Sequence, residues 1–105
     1  MDAFAQLEAT IADRLHADPG SSYVATLAAR GRAKIAQKVG EEAIETVIAA
    51  IADDRAGLIG EAADLMFHLT VLLHHMGLGL DDVRAELTRR EGVSGLVEKA
   101  GRAST

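Results

Sequence analysis

The segment from Leu58 to Met76 is apolar on nearly every side of a helix, yet it carries two carboxylates, Glu61 and Asp64, one turn apart. Successive residues advance by ~100° around a helix axis. On that wheel Leu58, Leu65, Leu69 and Leu72 fall within about 80° of Glu61. Ile59, Met66 and Leu73 cover a second side, Phe67 and Val71 a third. A helix that is apolar all round belongs in the middle of a bundle. A carboxylate buried there without a partner either carries a heavy desolvation cost or stays protonated. A divalent cation removes that cost. The local alternative is a dipole-favoured acid in the first turn of a helix beginning near Gly57, which accounts for Glu61 better than for Asp64.

The rest of the chain predicts companions of the same kind. Ten glycines and one proline punctuate it. Asp2 caps a first helix over about Ala3–His16, with Phe4, Leu7, Ile11 and Leu15 at helical spacing. Pro19 and Gly20 break the chain, and Ser21 or Ser22 caps a short helix over Tyr23–Ala29. Longer helices are expected over about Arg32–Ala52 and Gly57–Met76, and a fifth over Leu80–Glu91. No stretch alternates apolar and polar residues as a strand does. The expected fold is a single all-α domain of about five helices, with its core over residues 3–91 and a small polar tail from 92 to 105. A domain of 105 residues built on 3% aromatics is modestly stable alone, so a bundle completed by homo-oligomerisation is expected.

The third helix supplies the facing acids. Lys34, Lys38, Glu41 and Glu45 lie within about 60° of one another, and Glu42 sits one step around beside Ile35 and Val39. Ile44, Val47, Ile48 and Ile51 occupy the opposite side and read as a core face. Glu41 and Glu45 are like charges one turn apart, which is locally unfavourable. Taken alone, this helix fits a solvated face with Lys38 pairing to Glu41 or Glu42. Taken with Glu61 and Asp64, it fits a site for a hard divalent cation such as Mg²⁺, held by carboxylates at i,i+3 on two neighbouring helices.

The absence of cysteine excludes disulfides, thiolate metal sites and cysteine nucleophiles. A net charge of −5 argues against nucleic acid as the main partner. No signal peptide is visible, and the apolar stretch Leu65–Met76 is short for a membrane span. A cytoplasmic protein is expected.

The pairs Glu42-x-x-Glu45 and Glu61-x-x-Asp64 resemble the signature of the all-α, MazG-like nucleoside-triphosphate pyrophosphatases. The longer strings Lys38-Val-Gly-Glu-Glu-Ala-x-Glu45 and Glu61-Ala-Ala-Asp-Leu-x-x-His-Leu69 are similar to one branch, the phosphoribosyl-ATP pyrophosphatase family of histidine biosynthesis. Ser22-Tyr23, Leu80-x-Asp-Val83 and Leu87-x-Arg-Arg90 agree, so the resemblance covers roughly residues 4–91. It implies hydrolysis of phosphoribosyl-ATP to phosphoribosyl-AMP and pyrophosphate, Mg²⁺ dependence, and a homodimer or higher oligomer. Some family members are fused to a cysteine-using zinc cyclohydrolase, whereas this chain, without Cys or spare length, reads as the stand-alone enzyme. The resemblance carries Glu42, Glu45, Glu61 and Asp64 over as metal ligands, with Glu41 a neighbouring acid that binds metal or orients water.

The proton acceptor for the attacking water is then Glu41 or Glu45. Lys34 and Lys38 lie upstream on the same stripe, where they can meet substrate phosphates or simply form ion pairs. His68, one turn after Asp64, either hydrogen-bonds Asp64 from outside the ligand set or is an ordinary core histidine. Tyr23, Arg30, Arg32, Arg89 and Arg90 have substrate and purely structural readings side by side. Two other functions fit the same residues: a house-cleaning pyrophosphatase of free nucleoside triphosphates, and a non-catalytic helical oligomerisation module with its acids in solvent.

Overall fold

The computed structural model describes residues 2–92 together with residues 95, 99, 101 and 102. Most of the tail, for which weak helical character is expected, lies outside the described residues. Five helices follow in order: α1 Ala3–Arg14, α2 Tyr23–Ala29, α3 Arg32–Ile51, α4 Arg55–His75 and α5 Leu80–Arg90. Among the described residues there is no strand. The fold is all-α, as the periodicity predicts.

Local chemistry sets the boundaries. The Asp2 carboxylate accepts the Ala5 N–H at 2.8 Å, and the Ser22 hydroxyl accepts that of Ala25 at 3.0 Å. Gly31, at φ 94°, turns the chain between α2 and α3. Asp54 caps α4 by accepting the Gly57 N–H at 2.9 Å, so α4 begins at Arg55, two residues before Gly57. Gly77, at φ 76°, closes α4: its N–H reaches the His74 carbonyl, and the Leu78 N–H reaches that of Leu73. The Asp82 carboxylate accepts the Gly79 N–H at 2.8 Å and opens α5.

α3 and α4 form an antiparallel hairpin across the turn Ala52–Asp54, and α1 and α2 pack against one end of it. The core lies at that end, built from Ile11, Leu15, Val24, Leu27, Ile35 and Val71, with Leu7, Ala28, Phe67 and Leu72 against it. α3 turns the line Ile35, Glu42 and Ala49 inward.

The expected core face of α3 is instead uncovered. Ile44, Val47, Ile48 and Ile51 are all exposed, Ile51 to 82%, and Ile59 of α4 beside them to 74%. Helical spacing places these residues on one side but does not say what lies there, and among the described residues these side chains are left uncovered. The apolar stretch Leu65–Met76, short for a membrane span by itself, is only the second half of α4 and its cap. The 21 residues of α4, with a mean hydropathy of 1.4 over its most apolar window, are enough by length and composition to cross a membrane. Its two carboxylates and its long contact with α3 suit the centre of a bundle instead.

Candidate functional site

The acidic face of α3 meets α4 midway along the hairpin. Each of Glu42, Glu45 and Glu61 brings a carboxylate oxygen within 4.8 Å of the others. Glu42 is buried, 7% exposed, because it continues the Ile35 line. Glu45 stands one turn on at the solvent edge, and Glu61 faces both from α4. With α4 starting at Arg55, Glu61 lies in the second turn, beyond the reach of a first-turn dipole explanation.

One oxygen of Glu42 and one of Glu61 are shielded from solvent and have no hydrogen-bond partner. Burial, then the adjacent Glu45, holds the Glu42 carboxyl above its ordinary range. The Glu45 side chain does the same to Glu61, reinforced by burial. Three carboxylates this close, with two stranded oxygens, have two ways out: a shared proton or a shared cation. An all-oxygen donor set matches a hard divalent ion and suits neither thiophilic nor imidazole-seeking metals.

Asp64 is not part of this trio. Its side chain is exposed and lines an apolar groove of about 560 Å³ with Phe4, Leu7, Met66 and Phe67. It still adds a like-charge push to both Glu42 and Glu61, so it stands within electrostatic reach of the site. Glu41 also stands outside. Its carboxylate accepts from Gln37 at 3.1 Å and pairs with Lys38 at 3.3 Å, contacts that hold it below its ordinary range. Lys38 extends to Glu42 at 3.7 Å and so bridges the trio to what lies upstream.

What lies upstream is a cavity of about 320 Å³ lined by cations. Arg30, Lys34 and Lys38 share it with Tyr23, Thr26 and Glu41. Arg32 is exposed at the start of α3. Arg89 and Arg90 both pair with Glu86 on α5, and Arg89 grips it through two 2.8 Å bonds. These guanidiniums pull the Glu86 carboxyl down to about 2.

His68 is buried between the two regions. Its Nδ1 lies 2.7 Å from the backbone carbonyl of Asp64, not from the carboxylate. A carbonyl only accepts, so Nδ1 carries the proton and Nε2 is left to accept. The Tyr23 hydroxyl, 2.7 Å away, donates to it. Tyr23 and Phe67 close on the imidazole with edge contacts at 5.6 and 5.3 Å. Sequence reasoning singled out both His68 and Tyr23 without linking them. Their separation of 45 residues carries no local signal.

Against this geometry, the family model for phosphoribosyl-ATP pyrophosphohydrolase matches residues 4–91. The chain belongs to that family. Among its relatives, the phosphoribosyl-ATP pyrophosphatase of Rhizorhabdus wittichii is 67% identical over 97 residues, 92% of each chain. That of Novosphingobium aromaticivorans is 61% identical, covering 98% of this chain and 96% of its own. The enzyme of the same name from Zymomonas mobilis is 57% identical over 101 residues. The matched span takes in both acid pairs, the cation-lined cavity and the Tyr23–His68 link, and it ends where α5 ends.

Proposed function

We propose that this protein hydrolyses phosphoribosyl-ATP to phosphoribosyl-AMP and pyrophosphate, the second step of histidine biosynthesis. The observation that carries the reading is the convergence of Glu42, Glu45 and Glu61, with two stranded oxygens, beside a row of cations in a chain of this family.

In this reading Glu42, Glu45 and Glu61 would hold Mg²⁺, and Asp64, exposed outside the trio, would add its negative charge beside them. Held there, such an ion would supply charge neutralisation for the triphosphate and a more acidic water. Glu42 is held by burial and Glu61 faces it half-buried from α4, so both position the ion. Glu45 is the member open to solvent, and it takes the proton of the water that attacks the α–β linkage. Glu41, already engaged by Gln37 and Lys38, orients the Lys38 ammonium. Lys38 and Lys34 meet the substrate's phosphates and offset a repulsion that an acidic protein otherwise presents. Donation from Tyr23 locks the His68 ring, and His68 in turn holds the α4 backbone at Asp64.

The exposed apolar side of the hairpin supports a homodimer or larger homo-oligomer, and the biosynthetic role supports a cytoplasmic location. The deciding assay is pyrophosphate release from phosphoribosyl-ATP with and without Mg²⁺. Release that requires Mg²⁺ is the expected result. Absence of release above background, or faster release from free nucleoside triphosphates, would overturn the assignment.

A further inference from the structure

The cavity between α2 and the start of α3 has a chemistry that the metal site does not explain. Arg30 and Lys34 line it, and no carboxylate of the described residues stands within 4.0 Å of either. In a chain with 16 acids and 11 bases, two cations side by side without an ion pair are an anomaly. Glu41, which feels Lys34 electrostatically, is already taken by Gln37 and Lys38. Lys34 also lies in the first turn of α3, where no acid accompanies it and the dipole's positive end repels a cation. Arg30, the C-cap of α2, suits the negative end of that helix's dipole, but neither ion pairing nor local helix electrostatics accounts for Lys34 beside it.

The substrate in the proposed reaction is anionic at both ends. The triphosphate end is served by the carboxylate site with its ion and by Lys38, which touches Glu42. At the other end is a phosphomonoester on the second ribose. That dianion is repelled by the acidic trio and needs bare cations. Eight residues separate Lys34 from Glu42, about 12 Å along the helix axis, the scale of a nucleoside. Tyr23, half-exposed on the cavity wall, offers an aromatic face between the two ends.

We propose that the Arg30–Lys34 cavity is the seat of the phosphomonoester at the far end of the substrate, and so the feature that separates phosphoribosyl-ATP from free nucleoside triphosphates. This rests on the reading of the reaction given above, and it adds the part of the substrate that these residues recognise. A dianion held by an Arg and a Lys contributes mainly to binding, because it is remote from the bond that breaks.

The test uses the full chain and the variants Arg30→Gln, Lys34→Gln and Lys34→Arg, each checked for unchanged helicity. Ribose 5-phosphate serves as a probe that lacks both base and triphosphate. Calorimetry is expected to show it binding the wild-type protein more tightly than inorganic phosphate does. Both Gln variants weaken that binding about tenfold or more, and Lys34→Arg restores most of it. With phosphoribosyl-ATP the same variants raise KM by a similar factor and leave kcat within about twofold. Several results would overturn the proposal. These are ribose 5-phosphate binding no better than inorganic phosphate or binding the variants unchanged, a fall in kcat in place of a rise in KM, and an equal rise in KM for ATP, which lacks the phosphomonoester. A wild-type protein that releases no pyrophosphate from phosphoribosyl-ATP fails the reaction reading alone, and the calorimetric comparison still decides the cavity.

Discussion

Glu42 is the residue on which the site turns. It lies on the Ile35–Ala49 line of α3, where burial would normally select an apolar side chain, and one of its oxygens has no partner. Replacing it with Gln removes one charge from three and keeps the shape. If the trio is a cation site, Glu42→Gln abolishes Mg²⁺-linked stabilisation and lowers turnover by 10²-fold or more, while the metal-free protein melts no lower than wild type. A thermal melt across an Mg²⁺ titration reads the first effect. The wild type gains about 2.7 kcal/mol when the ion is 100-fold above its Kd. Equal Mg²⁺ response in both proteins would remove Glu42 from the site. Tyr23→Phe asks a separate question about the same region. It leaves the inward Nε2 of His68 without its donor, at a cost of about 1 kcal/mol in denaturant unfolding. No loss of stability would mean that the Tyr23–His68 bond does not hold α2 to α4. The sequence alone grouped Glu41 with Glu45, because both share the Lys38 stripe. The wheel gives angles between residues but not which sector faces α4, and contact with α4 selects Glu42 over Glu41.

The helices themselves were largely legible, since their ends are written in side chains: Asp2 and Ser22 as caps, Gly77 as the stop of α4, although the Asp54 cap reads from sequence only as a polar break, which places α4 two residues late. What holds α5 in place was not legible. Glu8 on α1 accepts the Leu80 N–H and His74 Nε2–H at 2.8 Å each, and lies 4.0 Å from Arg84. One carboxylate thus ties α1, the end of α4 and the start of α5 together across 66 to 76 residues of sequence, a distance no local pattern encodes. The Leu80 N–H, helped by His74, holds the Glu8 carboxyl below its ordinary 4.5. Its folded pKa is therefore lower than its unfolded one, and between the two values the unfolded chain binds more protons. The stability it contributes is complete above 4.5 and is lost as pH falls through the folded value. Glu8→Gln is expected to destabilise the protein by about 1–2 kcal/mol near neutral pH, with the difference from wild type shrinking as the pH drops below 4.5. Denaturant unfolding of both proteins at a series of pH values measures it. A difference that stays constant down to the acid limit would show that the carboxylate's charge is irrelevant.

At the scale of the whole molecule, the same helical spacing that gave Ile44, Val47, Ile48 and Ile51 a common side assigned that side to the core, and the protomer leaves it in solvent with Ile59. Periodicity identifies an apolar face; only the packing says whether the chain itself or another molecule covers it. The first half of the α3–α4 hairpin is buried by α1 and α2, and among the described residues these have no counterpart for the second half. Five large aliphatic side chains on two adjacent helices form a contiguous patch of the kind that marks an association surface. A second copy presenting the same patch would cover it by two-fold symmetry, each residue meeting its like or a near neighbour. Each buried isoleucine is worth roughly 1.5–3 kcal/mol, so a single charge placed in the centre is strongly disruptive. Ile48→Glu is therefore expected to convert a dimer into an 11.0 kDa protomer in sedimentation equilibrium and to lower Tm. Melting of the wild type should rise with protein concentration, because dissociation and unfolding are linked, while melting of the variant should not. The acidic trio lies on the same hairpin, with Glu45 only three residues from Ile48. Association that stiffens this half of the hairpin also fixes the spacing of Glu45 from Glu61. The dissociated variant should accordingly lose Mg²⁺ affinity as well as stability. A wild type that sediments as a protomer with a concentration-independent Tm would leave the patch without a second copy to cover it.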